Sequence, residues 1–347
     1  MRWAKSEWES AIGRLCGVVL FGAFLVLFDG CRPEMKSISS SANRPLRIAI
    51  NVWPGYASAF LAKERGWFEK FGVEVELVLN QEIEESYRQF DQGEVDGCFG
   101  VLSDVVMQES RHSKTKVVFA ADYSMSGDVI VGKGAPGDLS GLKGKTIGHG
   151  GLNTFSHVFV IKALEQAGID ELDVTYRSVP AHEVFKLLES GEIDAGHTWE
   201  PTATEATEKG YHRLGSAADV PGLIADVLMF SPKVVEERAK EVEAVIKALI
   251  ASVEELILSP DQGIQIMAQA TGMTEAEMRT GLEGVKLLDL SGNIGAFQRN
   301  SELSSLYHSV AVIGQFLMER GQVGSAPIPD RFLEPRFIKE LAYKNAL

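Results

Sequence analysis

Five carboxylates, two tryptophans and one glycine-rich loop are the groups in this chain whose types and spacing point to chemistry. Asp104, Asp122, Asp128, Glu200 and Asp226 all fall near the ends of apolar, strand-like segments. A carboxylate in such a place can pair with a ligand ammonium or an amidine-like ring. Asp122, which follows Val117 to Ala121, and Glu200 are the preferred candidates. Asp104 also reads as a first-turn cap, and Asp128 and Asp226 as the borders of connecting strands. Trp53 and Trp199 sit at corresponding strand ends, where two flat rings could sandwich a ligand or simply pack. Tyr56 stands three residues after Trp53, and Ser103 precedes Asp104. The loop His149 to Ser156 carries Gly150-Gly151, which lets its backbone come close to a ligand, and Asn153, Thr154 or Ser156 can cap the next helix and donate hydrogen bonds. That chemistry suits a sulfonate or carboxylate; an ordinary capped turn is the plainer reading. The expected ligand-binding set is Trp53, Gly55, Tyr56, Ser103, Asp104, Asp122, Asn153, Thr154, Ser156, Trp199, Glu200 and Asp226, with no catalytic residue and no metal ligand.

These residues need elements to hold them. Leu46 to Val52 and Val73 to Leu79 alternate as strands do, Ala57 to Glu69 and Ile83 to Gln92 have helical spacing, and Val95 to Phe99 reads as a short buried strand. The order predicts an α/β arrangement around a mainly parallel sheet. It then recurs. Gln92-Gly93-Glu94-Val95-Asp96-Gly97 matches Ser190-Gly191-Glu192-Ile193-Asp194-Ala195, an offset of 194 − 96 = 98 that also lays Arg47 to Ile50 on Lys145 to Gly148. Gly93 and Gly191 fit left-handed helix caps before a strand. Two similarly built lobes follow, joined by Asp128 to Lys133 and Asp226 to Phe230, with the cleft between them at the strands' carboxyl ends. From Pro232 onward the spacing is largely helical, including Val234 to Leu258 and Glu275 to Val285. The expected boundaries are 46–127 plus 228–347 for one lobe and 128–227 for the other.

The first thirty residues read as an address. Leu15 to Phe28 is apolar without a charge, shorter than the roughly 20 residues of a spanning helix, and Arg2, Lys5 and Arg14 precede it. Gly30-Cys31 then resembles a lipoprotein cleavage box. The expectation is a signal peptide over 1–30, a lipidated Cys31, and a Ser-rich tether over 31–45, so that the domain is exported and held at a membrane in the periplasm or at the cell surface. Of the three cysteines only Cys98 lies beyond Cys31, in an apolar stretch where it behaves as a small buried hydrophobe.

Composition narrows the function. The 347 residues are 45% hydrophobic and 24% charged, as a folded chain of about two domains should be. The net charge of −14 is repelled by phosphate backbones, which argues against nucleic-acid binding. No Gly-x-Ser-x-Gly elbow, His-Glu-x-x-His or phosphate loop occurs. His149 and His197 both lie near strand ends, but their spacing matches no compact metal motif.

Several segments together resemble one family. Trp53-Pro54-Gly55-Tyr56, Leu61-Ala62-Lys63-Glu64-Arg65-Gly66-Trp67-Phe68, Asp122 through Asp128, Gly141-Leu142-Lys143-Gly144-Lys145 and Trp199-Glu200-Pro201 are similar to the solute-binding proteins of ABC importers in the nitrate, sulfonate, taurine and thiamine-pyrimidine group. The resemblance implies a two-lobed periplasmic-binding-protein fold of type II-like design, with a ligand held between lobes and handed to permease and ATPase subunits. It implies binding without bond chemistry, no cofactor, and a monomer. The thiamine-pyrimidine synthases of this fold carry a run of cysteines near a histidine, which this chain lacks. The acidic rim and donor-rich loop favour a zwitterion such as an aminosulfonate. A thiamine-pyrimidine-like heterocycle is the alternative ligand, nitrate a third, and a ligand-sensing subunit for a membrane receptor the alternative role.

Overall fold

The computed structural model describes residues 44–109, 115–152, 154–302 and 304–345. The expected signal peptide, Cys31, nearly all of the tether, and Asn153 lie outside these residues. Among the described residues, eleven strands form two sheets. The first takes β1 (Leu46–Asn51), β2 (Val75–Asn80), β3 (Gly97–Val101), β4 (Lys116–Ser124), β10 (Ala225–Phe230) and β11 (Val285–Leu287) in the order β11-β4-β10-β3-β1-β2. The second takes β5 (Val129–Gly132), β6 (Thr146–His149), β7 (Thr175–Ser178), β8 (Ala195–Thr198) and β9 (His212–Ser216) in the order β7-β6-β8-β5-β9.

Each sheet runs mainly one way and has one reversed strand inside it. In the first, β10 is antiparallel to both β3 and β4. In the second, β5 is antiparallel to both β8 and β9. These two strands are the ones that leave one lobe and return from the other. Their reversal follows from the chain entering each sheet from the cleft side rather than through a helix on its face. A short antiparallel edge strand, β11, closes the first sheet against β4, where helical spacing through Val285 had been expected.

The repeat is real in three dimensions. Leu46 pairs with Val75 in parallel register, and Thr146 with Thr175 in the same alignment two residues further along the unit. Asp96 accepts the Arg47 N–H at 2.9 Å, and Asp194 accepts the Thr146 N–H at 2.9 Å. Each aspartate so pins the start of its sheet's first strand to the strand beside it. Gly93 and Gly191 adopt φ of 69° and 74°, the left-handed turn from helix into strand.

One apolar core is shared by both sheets. Leu46, Ile48, Ile50, Phe99, Phe119 and Phe230 are essentially fully buried, and β10 is buried along its whole length. A strand covered on both faces needs a continuous apolar run, which is what Val227 to Phe230 supplies. Cys98 is buried as a free thiol in β3, as expected. The helical region after β10 breaks once more than its spacing suggests: Pro232–Glu237 ends at Arg238, whose φ of −122° starts a new helix, Ala239–Leu258. Among the described residues no helix is long and apolar enough to cross a membrane.

Candidate ligand-binding site

The carboxyl ends of β1 and β3 and the start of β10 in the first lobe meet the start of β5 and the end of β8 in the second. Asn51, Trp53, Tyr56, Asp226, Asp128, Phe155 and Trp199 surround a cavity there, with Ile83, Val101 and Ile224 completing its apolar wall. Its volume is about 10 Å³, the space of one water molecule. The lobes are therefore shut on one another.

Three aspartates crowd this point. Asp226 lies directly across from Asp122 in the antiparallel pairing of β10 with β4, and both are buried. Tyr56 Oη donates to Asp226 Oδ1, while Trp53 Nε1 lies 3.3 Å from Asp122 Oδ2. Asp128, on the facing lobe, is bonded at 2.8 Å to His197 Nε2. Burial raises Asp122 to about 7, against the pull of its hydrogen bonds with Asp226 and Trp53. Burial first, then repulsion from Asp122 and Asp128, raises Asp226 well above the carboxylate range. Burial and the charge of Asp226 likewise raise the Tyr56 phenol. Gly55 lies against this cluster: a Cβ there would come within 1.9 Å of Asp122 Oδ2.

The tryptophans do meet, but not as parallel plates. Their ring centroids are 6.2 Å apart at 86°, an edge-to-face contact. Trp199 Nε1 donates to Val52 O at 3.2 Å across the cleft, and the Trp53 indole points at Asp122. Those two bonds set the ring planes, so in this closed state the expected sandwich is a corner. Phe155 and Tyr56 extend the same aromatic wall.

The glycine-rich loop spends its donors internally. Gly150 N–H donates to Ser156 Oγ at 2.8 Å and Gly151 N–H to His149 Nδ1 at 3.1 Å. Thr154 caps the helix Phe155–Gln166 by accepting from His157 N. The first helical N–H, that of Phe155, donates at 2.7 Å to Asp104 of the opposite lobe. Asp104, whose other oxygen accepts from Tyr87 Oη, thus stands where an anionic guest was expected. Burial raises Asp104 to about 7 despite both donors.

Other expected residues serve the scaffold. Glu200, itself buried, accepts from the half-buried Arg213 and from Thr204 N in the first turn of the following helix, and does not line the cavity. Ser156 Oγ lies 2.6 Å from His197 Nδ1, so that Ser156, His197 and Asp128 form one buried hydrogen-bonded chain. Ser103 is buried in the first turn of the helix Leu102–Glu109, away from the lining. His149 stacks on His157 at 4.8 Å, not with His197; burial and His157 push His149 down to about 4. Among the described residues no group of three or more His, Cys, Asp or Glu is placed to hold a metal ion. Two further contacts span the lobes: Arg320 Nη2 reaches Glu165 at 3.1 Å and Glu171 at 3.0 Å, and His182 meets Glu82.

Residues 53–263 match the family described as NMT1/THI5 like. The chain belongs to that family. A putative aliphatic sulfonates-binding protein of Bacillus subtilis (strain 168) is 26% identical over 251 residues, covering 69% of this chain and 75% of the relative. In structure the chain resembles the ligand-binding component of an ABC-type import system from Staphylococcus aureus (TM-score 0.71, 17% identity, 86% of this chain and 98% of that one). It also resembles the periplasmic aliphatic sulphonate binding protein SsuA from Escherichia coli (TM-score 0.66, 17% identity, 83% and 97%). The fold is accordingly the two-lobed periplasmic-binding-protein fold. A desulfurization enzyme, DSZB, shares it (TM-score 0.66, 14% identity, 87% and 100%).

Asn51, Phe155 and His197 were not singled out as ligand-binding residues. Asn51 ends β1 immediately before the loop that carries Trp53, and Phe155 sits between two expected capping residues. Their position beside expected residues was the available signal.

Proposed function

We propose that this NMT1/THI5-like chain is the substrate-binding component of an ABC importer. It captures a small organic solute of sulfonate or taurine-like type between its lobes and delivers it to a permease with its ATPase subunits. The carrying observation is that one cavity is walled by both lobes, with Trp53, Tyr56 and Asp226 on one side and Asp128, Phe155 and Trp199 on the other. A guest contacting both sides stabilises closure through its differential contacts, and closure is then what a permease can read. The bodies that move are 46–127 plus 228–347 against 128–227. The role is binding without turnover: in the Ser156–His197–Asp128 chain, Ser156 lies off the cavity lining and already accepts from Gly150 N–H. The protein acts as a monomer outside the cytoplasm, tethered through Cys31.

A second ligand class, a flat nitrogen heterocycle of the thiamine-pyrimidine kind, is favoured by the aromatic corner and the carboxylates beside it. A thermal-shift screen against sulfonates, amino acids, pyrimidines and nitrate tests the reading. A guest at 100 times its Kd adds about 2.7 kcal/mol, and small-angle scattering should show the lobes closing with it. A shape and stability unmoved by every compound would defeat the proposal, and conversion of a hit into a new product would return the enzyme class.

A further inference from the structure

The polar groups at the heart of the cleft are unbalanced. Tyr56 Oη is committed to Asp226 Oδ1, Trp53 Nε1 to Asp122 and Trp199 Nε1 to Val52 O. What remains is acceptors. Asn51 Oδ1 is buried with no hydrogen-bond partner among the described residues, Asp226 Oδ2 has none but the facing carboxyl of Asp122, and both Asn51 and Asp226 line the cavity. Buried acceptors of this kind are costly unless something donates to them. Three aspartates of one sign beside them add repulsion that a cation, or protons kept on the carboxyl groups, must relieve.

We infer that the cleft recognises its guest by a positively charged nitrogen with at least two N–H donors, an ammonium or amidinium seated on Asp226 and Asn51, with Asp122 behind Asp226 across the strand pair. The inference rests on the cleft being the ligand site proposed above, and it names the feature of the guest that site reads. Any sulfonate the guest carries is then secondary. No lysine or arginine is among the described residues that line the cavity, and Arg213 and Arg320 are paired elsewhere, with Glu200 and with Glu165 and Glu171. The second-lobe helix N-terminus, an anion's natural seat, is taken by Asp104. The ring faces of Trp53, Tyr56 and Trp199 suit a cation as well, since an aromatic face carries negative potential.

Isothermal titration of the full chain with three probes tests this: taurine, ethanesulfonate, which is taurine without its amine, and benzamidine, an amidinium without a sulfonate. Taurine and benzamidine should bind and ethanesulfonate should not. Asp226→Asn, which keeps the shape but cannot become anionic against a bound cation, should weaken the amine-bearing probes about ten- to hundredfold. Its melting temperature should not fall, which separates loss of recognition from loss of fold; Asp122→Asn provides the second variant. Ethanesulfonate binding as tightly as taurine, or undiminished benzamidine binding by both variants, would overturn the inference and leave the binding-protein reading standing. If none of the three binds but the wider screen finds a guest, a guest without a cationic nitrogen overturns it and one with it supports it. If the screen finds no guest at all, both readings fall.

Discussion

Asp128 and Asp226 occupy the same place in two copies of one structural unit. Their separation, 226 − 128 = 98, is the offset that relates Asp96 to Asp194. Asp128 immediately precedes β5 and Asp226 lies at the start of β10, the two reversed strands that connect the lobes. Both are 2% exposed and both line the cavity. The repeat thus delivers one carboxylate from each lobe to a common point. Their partners then make them different: His197 holds Asp128, while Tyr56 leaves one oxygen of Asp226 open.

Because these acids keep protons in the folded state, stability should depend on pH. The raised carboxyls, Asp122 and Asp104 at about 7 and Asp226 well above the carboxylate range, start from an ordinary value of 3.8. Their contribution is fully present below about 3.8 and is lost as pH rises through the folded values. His149, lowered from 6.5 to about 4, acts the other way between those limits. Above pH 6.5 the acids dominate. Urea unfolding of the guest-free chain should show stability falling toward pH 8, by up to about 1.4 kcal/mol per pH unit for each retained proton. Asp226→Asn should flatten that fall, and a wild-type profile that rises there would refute the assignment.

Trp53→Ala and Trp199→Ala should each weaken the guest about tenfold or more, since aromatic anchors in a closed site carry a large share of binding energy. Titration calorimetry decides it. Normal affinity in both variants would remove the aromatic corner from the site.

Arg320→Ala cuts the bonds from the end of the helix Leu306–Glu319 to Glu165 and Glu171 of the other lobe. Ion pairs of this partly exposed kind contribute about 0.2–1 kcal/mol. Loss of them should enlarge the guest-free radius of gyration in scattering and weaken a guest a few-fold through the closed population. An unchanged scattering profile would show that the pairs do not hold the lobes.

Gly55→Ala places a methyl group 1.9 Å from Asp122 Oδ2 and 2.8 Å from Trp53 Nε1. One of these must move, at a cost of about 1–3 kcal/mol, and the guest should bind more weakly. Denaturation together with titration separates the two effects; a variant with native values for both would contradict the packing.

The site was legible where chemistry is local and obscure where it is not. Trp53, Tyr56, Trp199 and Asp226 were expected at the cleft and line it. Glu200 was expected there too, yet it pairs with Arg213 on β9, one strand beyond β5. Nothing in the run Trp199-Glu200-Pro201 distinguishes a carboxylate facing a ligand from one facing an arginine. The glycine-rich loop has the composition of an anion seat, but the Phe155 N–H goes to Asp104, 155 − 104 = 51 residues earlier.

The order of residues alone determined the repeat, most of the strand succession though not β9 or β11, the two connecting strands and the loops that open into the cleft. Those follow from periodicity and turn chemistry within a few residues of each other. Only tertiary structure decided which carboxylates share the cavity and which are neutralised. Asp226 meets Asp122 because β10 enters its sheet reversed beside β4, in a register set by packing along both strands. Side chains separated by a hundred residues acquire their electrostatics from that pairing, and local pattern carries no record of it.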